Sequence, residues 1–178
     1  MDKEMKVRVS RYMSYLLRHN PQGLRMDRYG FVDLDELIEK VKERFRVDRE
    51  FILEIVEGSE RRRFEVVDNK IRALYGHTIP VVLTLKEDGS IKKLFHGTTL
   101  EAALRILNEG LKPMRRMWVH LSPTIEIARE VGSRRAFNPA ILEVDAEAAR
   151  KDGIKFYRAT DKVYLCREVP PKYIKRIE

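Results

Sequence analysis

The chain carries one cysteine, Cys166, in 178 residues. That excludes an internal disulfide framework and a cysteine-rich zinc site, and sets the expectation of a reducing, cytoplasmic setting. A glycine-rich phosphate loop is also lacking: neither G-x-G-x-x-G nor G-x-x-x-x-G-K-S/T occurs, so neither a Rossmann site nor a P-loop is expected. No apolar run approaches ~18 residues and no signal-peptide pattern opens the chain, which argues against a membrane span. The four histidines, His19, His77, His96 and His120, are scattered and fit no metal motif, so no metal is expected.

What is present is charge, with 36% of residues charged and a formal net charge of +8. Up to Pro80 there are 17 Lys and Arg against 15 Asp and Glu, and from Val81 onward 19 against 13. The excess is therefore spread along the chain. It belongs to surfaces or a site suited to an anionic partner such as nucleic acid or a phosphorylated ligand, rather than to a basic tail. The length suits one compact domain or two small ones; two are expected, spanning 1–80 and 81–178.

In the first half, Val7, Tyr12, Leu16 and Leu17 predict an amphipathic helix over about 6–18, ended by Asn20-Pro21. Gly30 to Asp33 reads as a short strand. Asp33 then opens a helix to Phe45 with Leu34, Leu37, Ile38 and Val41 inward, in an Asp-x-x-Glu capping pattern. Asp48 caps a third helix carrying Phe51, Ile52, Ile55 and Val56, which Gly58 ends. Phe64–Val67 and Ile71–Tyr75 flank Asp68-Asn69-Lys70 in the layout of a hairpin. Helix, short strand, two helices and a hairpin make a winged helix, an architecture that commonly binds nucleic acid. Arg61-Arg62-Arg63, just before the hairpin, is either a phosphate-contacting run or a solvated loop.

In the second half, Val81–Leu85, Ile91–Phe95, Met117–Leu121, Ala140–Val144 and Lys162–Cys166 read as strands. His96-Gly97-Thr98-Thr99 reads as a tight turn into a helix bearing Leu100, Ala103, Leu104 and Leu107, and Ser122-Pro123-Thr124 as the entry to another helix from Ile125. Two strands thus end near a histidine, His96 and His120, with a helix behind each. Such strand-to-helix junctions suit a polar or anionic ligand, because helix N-termini present unpaired N–H donors. The plainer alternative is that both histidines merely close a sheet.

Five ordered segments carry a family resemblance. Leu16-Leu17-Arg18-His19, the stretch Arg72 to Gly76-His77-Thr78, His96-Gly97-Thr98, His120-Leu121-Ser122 and Val131-Gly132-Ser133-Arg134 together resemble the NAD-dependent RNA 2′-phosphotransferase family, often called tRNA 2′-phosphotransferase. Thr78 stands where Ser is frequent there and keeps the hydroxyl. The resemblance implies an α+β fold, an N-terminal winged helix followed by an ADP-ribosyltransferase-like β-rich domain. It implies that NAD is consumed as co-substrate: an internal RNA 2′-phosphate attacks C1″ of the nicotinamide ribose, and O2″ then attacks that phosphate. The products are nicotinamide, ADP-ribose 1″,2″-cyclic phosphate and RNA with a free 2′-OH.

By the same resemblance Arg18, His19, Arg72 and Arg134 form the catalytic set, with Arg135 left as a one-residue alternative to Arg134. Guanidinium forks suit the redistribution of charge on a phosphate. His19 either positions the phosphate or exchanges a proton. His96, Gly97, Thr98, His120 and Ser122 would hold NAD, with Gly76, His77 and Thr78 touching both cofactor and phosphate. The late strand at Lys162–Leu165 lacks the Glu that many ADP-ribosyltransferases use to orient an acceptor, as suits a phosphate that is already an anion. The implied partner is RNA bearing a 2′-phosphate, tRNA among the candidates, acted on by a monomer. The rival readings are a one-step ADP-ribosyltransferase and a non-catalytic, NAD-sensing winged-helix regulator.

Overall fold

The computed structural model describes residues 3–58 and 62–178. The chain divides into two units, Met1–Thr84 and Leu85–Glu178, of mixed helix and antiparallel sheet. Of the arginine run before the hairpin, Arg62 and Arg63 are described and Arg61 lies outside the described residues. Among the described residues no helix is long and apolar enough to cross a membrane.

In the first unit α1 (Lys3–Arg18) buries Val9, Ser10, Met13, Leu16 and Leu17. This corrects the expected stripe at Val7, which is exposed, whereas Tyr12 packs half-buried against the core and Leu16 and Leu17 are buried as expected. At about 100° per residue Val7 points away from the arc that Val9, Met13 and Leu16 share. Strand β1 (Val32–Asp33) leads into α2 (Leu34–Lys42), whose cap is the Asp33 side chain accepting from Glu36 N. Leu34, Leu37, Ile38 and Val41 are buried as the periodicity predicts, but the helix stops at Lys42, short of Phe45. Asp48 accepts from Phe51 N to cap α3 (Arg49–Glu57), and Gly58 ends it.

Strands β2 (Phe64–Val67) and β3 (Lys70–Ala73) form the hairpin, with β1 on the other side of β3. The turn is two residues rather than three, for Lys70 pairs with Val67. Asp68 and Asn69 have φ of 49° and 61°, the pattern of a type I′ turn, whose twist matches that of the strands. No strand forms at Val81–Leu85; there Val82 N donates to the Arg28 carbonyl, and Val82 is exposed. A strand needs a neighbour, and this segment spends a backbone donor on a loop instead.

The second unit contains two sheets. One has the order β10-β7-β5 and the other β4-β8-β9-β6. The strands are β4 (Lys86–Glu87), β5 (Lys93–Thr98), β6 (Val119–Leu121), β7 (Ala140–Asp145), β8 (Tyr157–Thr160), β9 (Val163–Cys166) and β10 (Ile174–Arg176), and the helices α4 (Leu100–Glu109), α5 (Ile125–Gly132) and α6 (Ala146–Lys151). Leu94, Leu142, Val144, Phe156 and Cys166 are among the buried residues of its core. Helix α4 buries Ala103 and packs Leu107 on the core as expected, but it buries Ile106 in place of Leu100 and Leu104, which are exposed.

The turn expected at His96-Gly97-Thr98-Thr99 is instead strand as far as Thr98. Each residue from Lys93 to Thr98 pairs with β7 in unbroken register, and only Thr99 leaves it, capping α4 by accepting from Ala102 N. The strand persists because Gly97 lets it lie against α5. A Cβ at Gly97 would fall 1.9 Å from the Ala128 carbonyl oxygen, and one at Gly132 would fall 3.0 Å from the Gly97 carbonyl carbon and 2.6 Å from Pro139 Cβ. These are backbone and ring atoms with little freedom to give way. Gly97→Ala should therefore cost about 3 kcal/mol of stability, read by urea denaturation; a cost under about 1 kcal/mol, the size of a tolerated volume change, would contradict this packing.

Candidate active site

Arg18 is the last residue of α1, and its carbonyl accepts from Thr78 N at 2.9 Å and Ile79 N at 3.3 Å. The segment after β3 is thereby tied to the C-terminus of α1. The Arg18 guanidinium lies 4.8 Å from the centroid of the Tyr75 ring, a cation–π contact that orients it. Gly76 has φ of +89°, and a Cβ there would sit 3.0 Å from Arg18 Cδ and Nε. Glycine is thus required both by the backbone and by the arginine's passage. His19 Nδ1 is 2.9 Å from Thr78 Oγ1, which lies 3.4 Å from the Arg18 carbonyl. A hydroxyl that donates to that carbonyl accepts from Nδ1–H, which leaves Nε2 of a neutral His19 as an acceptor.

Arg72 sits in β3 directly across from Glu65 in β2. Its Nε and Nη2 are both 2.9 Å from Glu65 Oε2, Nη1 reaches the Tyr29 carbonyl at 3.5 Å, and its Cζ is 4.5 Å from the Phe31 ring centroid. Carboxylate, carbonyl and ring fix a half-buried guanidinium in one orientation.

His77 lies among these groups, 2% exposed, with neither ring nitrogen hydrogen-bonded to any of the described residues. Burial lowers its pKa, and the charges of Arg18, His19 and Arg72 lower it further, to about 4. The imidazole is therefore neutral near pH 7, and the same field that suppresses its charge favours an anion. Because the folded pKa lies below the ordinary 6.5, the unfolded chain binds the proton first as pH falls. Stability is then full above pH 6.5 and declines toward pH 4, by about 3 kcal/mol. Urea unfolding of the wild type and His77→Asn across that range should show the extra acid slope only in the wild type; parallel slopes would contradict a neutral buried His77.

In the second unit β5 and β6 meet through a bridge between Phe95 and Ser122, whose backbones exchange hydrogen bonds of 2.8 and 2.7 Å. That bridge brings the two histidine-bearing strands together. His96 Nδ1 is 3.1 Å from the His120 carbonyl, and His120 Nδ1 is 3.0 Å from the Trp118 carbonyl. A carbonyl only accepts, so each Nδ1 carries the hydrogen and each neutral ring keeps Nε2 as an acceptor. Burial lowers the His96 pKa against the effect of its bond to His120, and the charges of Arg135 and Arg116 add to the lowering. Thr98 and Ser122 are buried. Arg134 and Arg135 follow α5 and are exposed. Burial pushes the Cys166 thiol up to about 12, which rules it out as a thiolate nucleophile at neutral pH.

The first unit thus gathers Arg18, His19, Arg72, Gly76, His77 and Thr78 around one cationic locus, and the second gathers His96, Gly97, His120 and Ser122 around the bridged strands. Residues 4–168 match the model of a protein family described as "RNA 2'-phosphotransferase, Tpt1 / KptA family". The chain belongs to this family. A probable RNA 2′-phosphotransferase of Pyrococcus abyssi is 44% identical over 171 residues, covering 94% of this chain and 93% of that protein. One of Archaeoglobus fulgidus is 41% identical over 179 residues, with coverages of 99% and 83%, and one of Flavobacterium johnsoniae 43% over 179 residues, with 98% of both.

For a member of the RNA 2′-phosphotransferase family, several neighbours of the motif residues went unread in the sequence. Glu65 holds Arg72, Tyr75 supports Arg18, and Trp118 stacks under Arg167 at 4.0 Å while its backbone receives His120. Glu65 was the most accessible of these. A two-residue turn between Val67 and Lys70 puts position 65 across from 72, so the register alone pairs an acid with the arginine.

Proposed function

We propose that this chain is an NAD-dependent RNA 2′-phosphotransferase, removing an internal 2′-phosphate from RNA and transferring it to NAD. The supporting observation is the convergence of Arg18, His19 and Arg72 on neutral His77, a cationic locus built from fixed guanidinium groups and suited to a phosphate. On this reading Arg18 and Arg72 bind the phosphate oxygens, and Arg134 is assigned to the charge that shifts during transfer. His19 Nε2 accepts the proton of the attacking ribose hydroxyl or orients the phosphate. Thr78 holds His19, Gly76 leaves room for Arg18, and Glu65 positions Arg72.

The residues of the second unit fit NAD. The Nε2 atoms of His96 and His120 are acceptors held in place through Nδ1, as a ribose hydroxyl requires. In the proposed assignment Gly97 meets the carboxamide through its backbone, Thr98 and Ser122 complete the pocket, and His77 and Thr78 contact both ligands. NAD supplies a ribose C1″ from which nicotinamide departs as the phosphate bonds, and an O2″ that closes on phosphorus as the RNA 2′-oxygen leaves and takes up a proton. The corresponding fold reading is a winged helix for the first unit and an ADP-ribosyltransferase-like domain for the second, in a cytoplasmic enzyme with tRNA among its candidate substrates.

The test is to incubate the protein with an RNA bearing one internal 2′-phosphate, with and without NAD. NAD-dependent appearance of 2′-OH RNA and ADP-ribose 1″,2″-cyclic phosphate is the expected result. Accumulation of ADP-ribosylated RNA would replace it with a one-step transferase, and absence of both products would overturn it.

A further inference from the structure

The loop joining α5 to β7 displays an aromatic side chain that the chemistry above does not use. Phe137 is 97% exposed, whereas the sequence immediately before it, Arg134-Arg135-Ala136, supplies two exposed cations. The loop is anchored at both ends. Arg135 N and Ala136 N donate to the Gly132 carbonyl at 3.0 and 3.1 Å, and Pro139 packs so closely on Gly132 that a Cβ there would lie 2.6 Å from Pro139 Cβ. Phe137 is therefore presented at the apex of a short, restrained connection. The charge of Arg135 bears on His96, so the loop stands beside the bridged strands.

A ring that is 97% exposed adds almost nothing to the buried core and leaves its faces open to a flat partner. Beside exposed arginines it has the composition of a single-stranded nucleic-acid contact, in which guanidinium groups follow phosphates and an aromatic face stacks on a base. A protein partner would more often meet such a ring within a wider apolar patch, and here both neighbours toward the helix are cationic or small. Resting on the reading of the chain as an RNA 2′-phosphotransferase, we propose that Phe137 stacks on an unpaired base beside the phosphate assigned to Arg134, three residues before it on the same loop, and so sets a preference for single-stranded context at that position.

The probes are two labelled hexaribonucleotides with one internal 2′-phosphate, one intact and one lacking the bases that flank the phosphate. Affinities are measured by fluorescence anisotropy for wild type, Phe137→Ala and Phe137→Trp. Phe137→Ala should bind the intact RNA about 10-fold more weakly and should match wild type on the RNA without flanking bases. Phe137→Trp should retain affinity and show quenched emission beyond that of wild type on adding intact RNA. Equal binding of intact RNA by wild type and Phe137→Ala would overturn the proposal, as would an equal loss on both RNAs. A change in sedimentation of Phe137→Ala with unchanged RNA affinity would assign the ring to a protein contact instead. NAD-dependent turnover of the same intact RNA by wild type, measured in parallel, reports on the enzymatic reading separately from the stacking.

Discussion

Arg18→Ala should lower the rate of RNA 2′-phosphate removal by about a thousandfold, while leaving NAD binding near the wild-type value. The size follows from the loss of a pre-oriented charged donor to a phosphate whose charge redistributes in the transfer. Arg18 is held by its place at the end of α1, the Tyr75 ring at 4.8 Å and the close passage of Gly76. Solvent does not reproduce that orientation once the side chain is gone. NAD binding persists because most of the residues assigned to it, His96, Gly97, Thr98, His120 and Ser122, belong to the other unit, and the Arg18 carbonyl that holds Thr78 is backbone and remains. Single-turnover assays measure the first quantity and calorimetric titration with NAD the second. Turnover within tenfold of wild type would remove Arg18 from the catalytic set, and loss of NAD binding would reassign it to the cofactor.

A second pair of variants separates two adjacent arginines. Arg134→Ala should reduce turnover by at least about a hundredfold, whereas Arg135→Ala should reduce it by less than about tenfold and act through His96. The charge of Arg135 lowers the His96 pKa, so its removal lets that pKa rise. His96 then becomes protonated at a higher pH, and the acid limb of the pH profile for NAD binding moves upward. Protonation turns Nε2 from an acceptor into a donor, which is why binding is lost on that limb. NMR titration of the His96 ring gives the shift directly. An effect of Arg135→Ala as large as that of Arg134→Ala, with no change at His96, would transfer the catalytic assignment by one residue.

Both results depend on contacts that differ in how far apart their partners lie in the chain. The elements were mostly legible locally. Asp33, Asp48, Thr99 and Thr124 cap their helices as their positions predict, because a cap involves residues only three apart. Gly58 and Gly110 end theirs. Where the reading failed, a tertiary neighbour had overridden local preference. The strand expected at Val81–Leu85 found no partner, and β5 ran on through His96-Gly97-Thr98 because β7 paired with it over its whole length. Of the helical stripe expected in α4, Ala103 is buried and Leu107 packs on the core, but Leu100 and Leu104 are exposed and Ile106 turns inward instead, since the surface beneath decides which arc is covered.

The sequence by itself determined the caps, the hairpin, the ordered motifs that mark the family, and the residue types able to handle a phosphate. The tertiary structure alone decided their arrangement. It tied Thr78 to the Arg18 carbonyl across 60 positions and His96 to the His120 carbonyl across 24. It also enclosed His77 among Arg18, His19 and Arg72. No local rule carries this information, because a buried ring's charge state depends on the summed field and desolvation of every element packed around it, and those are set only when the chain has folded.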